Sequence, residues 1–314
     1  MQVETIKGSK IDKHKWDDLI NNSKQGSIYS TFDYINTLCD KEWTSLIVTE
    51  GENYLAVFPF TPKKKYFINY FLHPLYAQYW GCIIKDKHFN SHYKYYEYQK
   101  KILKSLIEGV PKNLKVFKTY LSPSFDYPLP FIWNNWKLKP CYTYQIDLTP
   151  SKEDIIASFA SHVRREIKKA TSLGIEIIKE KSPTNAINLY RNEKPHLINK
   201  NNRFSLVRLQ RIVEVLPTEN AFCLTAKKEG KVVASIIYYK FKNTLVYFFG
   251  TVHSEYKNSG AMSLIIGESI LNHSGGCAIL DFDGSMVEGI ERFFRGFNSK
   301  PVMYLMASRQ QYLK

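Results

Sequence analysis

The sequence is short of acid, of cysteine and of long apolar runs, and each shortage closes off a class of protein. Only 5 of the 314 residues are cysteine. Cys39, Cys82, Cys141, Cys223 and Cys277 lie far apart, and none forms a C-x-x-C pair, which excludes a zinc ribbon or a thioredoxin-type motif. An odd, sparse count fits a reducing compartment better than a disulfide framework. No window approaches the roughly 18 apolar residues of a membrane span, and residues 1–7 carry no apolar signal-peptide core. A soluble, cytoplasmic protein is therefore expected, with contact to an anionic membrane face left open. The sequence lacks H-E-x-x-H, G-x-x-x-x-G-K-[ST] and G-x-S-x-G, which speaks against a zincin, a P-loop NTPase and a serine hydrolase. Its 8 histidines form no ligand pattern. His88 and His92 are four apart without a carboxylate in pattern and read as surface residues at a helix start. No metal site is expected.

Acid is outnumbered: 29 Asp and Glu face 44 Lys and Arg, a formal charge of +15. That balance suits polyanions such as nucleic acid, phosphorylated nucleotides or an anionic membrane, and it also suits a merely solvated surface. Aromatics are abundant, with 22 Tyr and 19 Phe. They read chiefly as core, although such rings also stack on planar ligands. The length is that of two domains of about 150 residues each.

Apolar periodicity predicts an α/β chain. Helices are expected at residues 11–22 and 31–39, then strands at 44–49, 54–60 and 68–72. Gly51-Glu52 is a hairpin turn, and Lys63-Lys64-Lys65 an exposed one. A helix over 89–108 and a strand over 114–121 follow. Residues 74–81 read as a packed aromatic loop, and the Pro- and Trp-rich residues 122–140 as an irregular connector. The strand at 142–148 carries the domain boundary, dividing 1–145 from 146–314.

In the second half, Ser151 and Asp154 form an N-cap pattern. Ile155, Phe159, Val163, Ile167 and Ala170 make one apolar stripe, and Gly174 is a C-cap. A strand begins at 175–178, and two helical stretches flank residues 199–203. Strands at 221–227, 232–241 and 244–252 precede a helix at 260–272 and a strand at 278–282. Ser285 and Glu288 form a capping box for a helix running to Phe297. A strand at 302–307 closes the series.

Three segments carry chemistry. Arg164, Arg165, Lys168 and Lys169 lie off the apolar stripe of their helix, where they either bind phosphate or form a solvated face. Lys257 and Gly260 stand between a strand and a helix, where the residues alone read as a loop with a capped helix. Asp281 and Asp283 alternate along a strand and are expected on one face. They serve as acid and base or bind a cation, or else Asp283 and Ser285 simply cap the last helix.

Residues 158–174 (S-F-A-S-H-V-R-R-E-I-K-K-A, then L-G) and 280–297 (L-D-F-D-G-S, then G-I-E-R-F-F-R-G-F) together resemble the signature of the FemABX family and its BioF2-like acetyltransferase relatives in the GNAT superfamily. The resemblance implies two tandem GNAT-like domains, each a mixed, mostly antiparallel sheet flanked by helices. It implies direct attack of an amine on an activated acyl carbon. Strand 244–252 would supply a backbone N–H to the oxyanion. Asp281 or Asp283 would take the amine proton, and Tyr256 would return one to the leaving thiolate. Arg164, Arg165, Lys168, Lys257, Gly260 and Arg295 would hold substrate or its phosphates. Acyl-CoA is then the co-substrate, with no permanently bound cofactor and no stable protein partner. The tRNA-dependent members carry Phe-Lys before the final aromatic, whereas Phe294 stands at the lysine position here and Arg295 follows it. Three readings stay open. They are an acyl-CoA donor with an amine acceptor, an aminoacyl-tRNA donor with a peptidoglycan (cell-wall) precursor, and a non-catalytic relative that binds anionic polymers or a membrane surface.

Overall fold

A computed structural model describes residues 1–196, 205–273 and 275–310. The chain divides into two compact units, Tyr142–Val302 and Met1–Cys141 together with the residues from Met303 on. The expected division at 145 places every later residue in the second unit. The last strand departs from this because its closing residues pair within the first.

In the first unit, β1 (Gln2–Lys7), β2 (Thr44–Glu50) and β3 (Asn53–Phe60) form an antiparallel sheet that ends on the short β6 (Ile83–Ile84). The hairpin β4 (Lys63–Lys65) and β5 (Ile68–Leu72) leads a second group, with β5 parallel to β7 (Leu114–Tyr120). Residues 306–310 of β14 (Lys300–Gln310) run antiparallel to β7. Four helices accompany these strands: α1 (Lys13–Asn21), α2 (Phe32–Leu38), α3 (His92–Gly109) and α4 (Leu129–Trp133). Helices α1 and α3 start where capping chemistry asks. Asp12 accepts from the N–H of His14 and Lys15, and Ser91 from that of Lys94.

The aromatic excess is core here. Phe58, Phe60, Phe71, Phe117, Phe131 and Trp136 are buried and meet mostly edge-on or tilted. The loop at 74–81 is packed as expected, with buried Trp80 donating its indole N–H to Pro59 O at 2.8 Å. The connector at 122–140 is less irregular than its prolines suggest. It holds α4, with Pro130 in the first turn where a missing N–H costs nothing, and β8 starts within it at Lys137.

The second unit contributes β8 (Lys137–Asp147) from Tyr142 on, α5 (Lys152–Ser158), α6 (Ser161–Ser172), β9 (Glu176–Glu180), α7 (Thr184–Glu193) and α8 (Leu206–Val215). It continues with β10 (Ala221–Lys228), β11 (Lys231–Phe241), β12 (Thr244–Val252), α9 (Ala261–His273), β13 (Ile279–Asp281) and α10 (Glu288–Arg295). The strand order is β8-β13-β12-β11-β10-β9, with only the β12–β13 pair parallel. Residues 199–203, which the two expected helical stretches flank, lie outside the described residues. Helix α9 reads A-M-S-L-I-I-G-E-S-I-L-N-H, apolar on most sides, and its Ile265, Ile266 and Ile270 are buried in the core.

Three expected elements come out differently: Lys63-Lys64-Lys65, expected as a turn, is strand β4 paired with Ile68–Tyr70, and two helix features change. The single helix predicted from residue 151 breaks in two at Phe159 and Ala160, which are extended. Tertiary contact outweighs periodicity there: Phe159 is buried edge-on against Phe297 at 5.2 Å, and Ala160 N–H donates to Gly296 O at 2.9 Å. The predicted Ser285 cap is also displaced. Helix α10 begins at Glu288 behind Val287, which makes no side-chain cap, and Ser285 Oγ accepts from Val287 N–H, ahead of the helix.

Candidate functional site

The site begins with a defect in strand pairing. Strand β12 matches β11 residue by residue until Tyr238 faces Tyr247 and Ile237 faces Phe249, so Phe248 is the extra residue of a β-bulge. Such bulges bend a strand and increase its twist. On its other side β12 pairs with β13 over a short stretch, Thr244, Leu245 and Val246 lying opposite Ile279, Leu280 and Asp281. Strand β13 ends at Asp281, and beyond that point the two strands part.

A cavity of about 590 Å³ fills the gap. Its walls are largely apolar: Tyr247, Phe249 and Val252 from β12, Met262 from α9, and Phe282, Ile290, Phe293 and Phe294 from β13's exit and α10. Burial holds the Tyr247 phenol well above its ordinary pKa, so it stays a neutral hydroxyl. Gly250 makes room for it, since a Cβ there would lie 1.9 Å from Tyr247 Oη.

Part of the lining is polar, with Glu166, Lys257, Ser263 and Asp283 among it. Gly260 and Lys257 line it where the chain enters α9. Gly260 has φ +82°, and a Cβ on it would sit 2.1 Å from Glu166 O, so only glycine lets the start of α9 come this close to α6. Ser259 Oγ accepts from Ala261 N–H, and Lys169 Nζ donates to Asn258 O at 2.8 Å, which ties the basic helix to this loop. The first-turn N–H groups of a helix, with the positive end of its dipole, suit an anion.

The sequence-derived residues scatter around this geometry. Gly260, Lys257 and Asp283 line the cavity. Arg164, Arg165 and Lys168 are exposed on α6, and Arg164 donates to Ala157 O. Tyr256 is not among the lining residues; its ring meets His253 edge-on at 5.8 Å. Arg295 is exposed and held by Glu291 at 2.9 Å, one turn back on α10.

The expected carboxylate pair does not share a strand face. The strand ends at Asp281, and Asp283 turns into the left-handed region at φ +60°. Asp281 is buried and takes three donors: the Thr143 hydroxyl, Gln145 Nε2 at 2.8 Å and Asp283 N–H at 2.9 Å. It fastens β8 to β13 and shapes the turn that presents Asp283.

Glu166 was hidden in the basic run. It lines the cavity beside Gly260 and accepts from the Ser263 hydroxyl at 2.6 Å. The signal for it was positional, since Glu166 lies three residues after Val163 and four before Ala170, both buried. Phe294, at the position of the lysine in the tRNA-dependent pattern, is buried and stacked on Phe282 at 4.3 Å with the rings 17° apart. The two signature segments are thus in physical contact, joined by Phe159 on Phe297, Ala160 on Gly296 and the shared cavity wall.

No protein-family model and no curated protein matches the sequence. Solved structures do match in fold. A crystal structure of FemX aligns over 97% of this chain and 97% of its own, with a TM-score of 0.67 at 10% identity. A structure of L-PGS from Bacillus licheniformis aligns over 96% and 93% with a TM-score of 0.60 at 11% identity. A tandem GNAT protein from the clavulanic acid biosynthesis pathway aligns over 100% of both chains with a TM-score of 0.58 at 9% identity. The fold is therefore FemABX-like and similar to that of tandem GNAT proteins: mixed, mostly antiparallel sheets flanked by helices.

Proposed function

We propose that the chain is an acyltransferase that moves an acyl group from acyl-CoA to an amine. The observation that carries this reading is the apolar cavity opened by the β12 bulge, with the α9 entry in the polar part of its lining. The thioester would lie along β12, its carbonyl oxygen accepting from a backbone N–H beyond Val246. The pyrophosphate would meet the first turn of α9, with Lys257 as counter-charge. Val252, Met262, Phe282, Ile290 and Phe293 would enclose an acyl chain longer than acetyl.

The amine nitrogen attacks the thioester carbon, and the C–S bond breaks as the tetrahedral intermediate collapses. Asp283 takes the amine proton, since Asp281 is occupied by its three donors. The leaving thiolate recovers a proton from solvent. Holding the two reactants in register supplies several kcal/mol of the barrier, of order 7–11 in favourable cases.

Calorimetric titration with acetyl-CoA and longer acyl-CoAs tests the reading. One saturable site, tighter for the longer chains, is the expected result. No binding to any thioester overturns it. An aminoacyl-tRNA donor with a peptidoglycan-precursor acceptor is the second reading, favoured by the exposed Arg164, Arg165 and Lys168 on α6. The buried Phe294 speaks against it, and salt-dependent binding of charged tRNA in place of acyl-CoA would support it.

A further inference from the structure

The β4–β5 hairpin ends in a two-residue turn, Tyr66-Phe67, closed by the Lys65–Ile68 pair. Such turns need positive φ and are ordinarily filled by Gly, Asn or Asp. Here Tyr66 carries φ +54°. Both rings face solvent, Tyr66 at 83% and Phe67 at 79% exposure. Neither turn chemistry nor core packing accounts for two bulky rings at this tip.

The flanking segments are rich in lysine. Lys63, Lys64 and Lys65 are all exposed. Strands β5 and β7 are parallel with Asn69 opposite Leu114, so the segment entering β7 reaches the same end of the sheet and brings exposed Lys112. Residues 61–72 and 110–118 contain no Asp or Glu. Lysines on an edge strand can serve only to prevent strand-to-strand pairing between molecules. Exposed aromatics beside them would defeat that purpose.

We propose that this hairpin tip docks on an anionic bilayer surface. Tyr66 enters the level of the headgroups, where amphipathic rings are favoured, and Phe67 reaches the headgroup–acyl boundary. Lys63, Lys64, Lys65 and Lys112 meet lipid phosphates while their stems lie along the apolar boundary. Bases of a nucleic acid stack on rings arrayed along a groove; a convex turn with adjacent rings fits the plane of a membrane better.

Cosedimentation of the full chain with vesicles tests the proposal, comparing phosphatidylcholine alone with a phosphatidylcholine–phosphatidylglycerol mixture. Binding to the anionic vesicles only is expected, weakening as salt rises. The double variant Tyr66→Ser, Phe67→Ser should bind about tenfold more weakly. The triple variant Lys63→Gln, Lys64→Gln, Lys65→Gln should lose roughly fivefold per lysine. Unchanged thermal unfolding of both variants shows that they remain folded. Wild-type protein that ignores anionic vesicles, or a Ser double variant that binds them as the wild type does, overturns the proposal. So does a result in which the variants lose single-stranded RNA and keep the vesicles.

Discussion

Replacing Gly260 with Ala tests the close approach of α9 to α6. The added Cβ meets Glu166 O at 2.1 Å, Glu166 C at 2.7 Å and Glu166 Cα at 3.0 Å, all backbone of a helix that yields only by moving as a body. Three contributions set the size. A side chain at φ +82° costs about 1–2 kcal/mol. Overpacking adds roughly 1–3 kcal/mol. A stiffer unfolded chain returns about 0.4–1 kcal/mol. The net loss is about 3 kcal/mol, or roughly 6–12 °C in the melting of a unit this size. Gly174→Ala is the internal control, because Gly174 has φ +69° and nothing within 4 Å of its Cβ position. It carries the backbone cost without the clash and should fall by only about 2–4 °C. Differential scanning calorimetry resolves the two, read on the transition of the second unit. Equal shifts for Gly260→Ala and Gly174→Ala would show that the helices do not meet as described.

Two further outcomes follow from the same geometry. Asp281→Ala strands the Thr143 hydroxyl, Gln145 amide and Asp283 N–H, and should cost about 2–4 kcal/mol by denaturant titration; Asp283→Asn should leave stability within about 0.5 kcal/mol and lower turnover with acyl-CoA binding intact. Burial holds His273 below its ordinary 6.5, against the bond its Nδ1 makes to Ser269 O. The unfolded chain then binds the extra proton first, so this contribution to stability is full above about pH 6.5 and is lost as pH falls through it. His273→Phe, which keeps the stack on Phe222, should flatten that acid-side loss in urea titrations between about pH 7.5 and about pH 5.5.

The succession of strands was legible because alternation and turn residues are local. Residues 244–252 coincide with β12, and Glu229-Gly230 makes the turn between β10 and β11 with both residues at positive φ. The helix break at Phe159 was not, because its cause, the contact with Phe297 and Gly296, is more than a hundred residues away. The site was legible in part for the same reason. Gly260 and Lys257 announce themselves at a strand-to-helix junction. Glu166 does not, since a lone carboxylate among Arg and Lys looks like a surface charge until α9 is packed on it. Asp281 and Asp283 looked alike in sequence, and only the end of β13 between them separates an anchor from a cavity group.

The pairing of β14 with β7 bears on how the chain is made. Residues 116–120 leave the ribosome early, yet their antiparallel neighbours at 306–310 follow only after nearly two hundred further residues. At roughly 5–20 residues per second, that is on the order of 10–40 s of synthesis. During this interval the edge of β7 that faces β14 is a bare strand edge, open to mispairing. Of the two units, the one whose strands are translated earlier is thus the later to be completed.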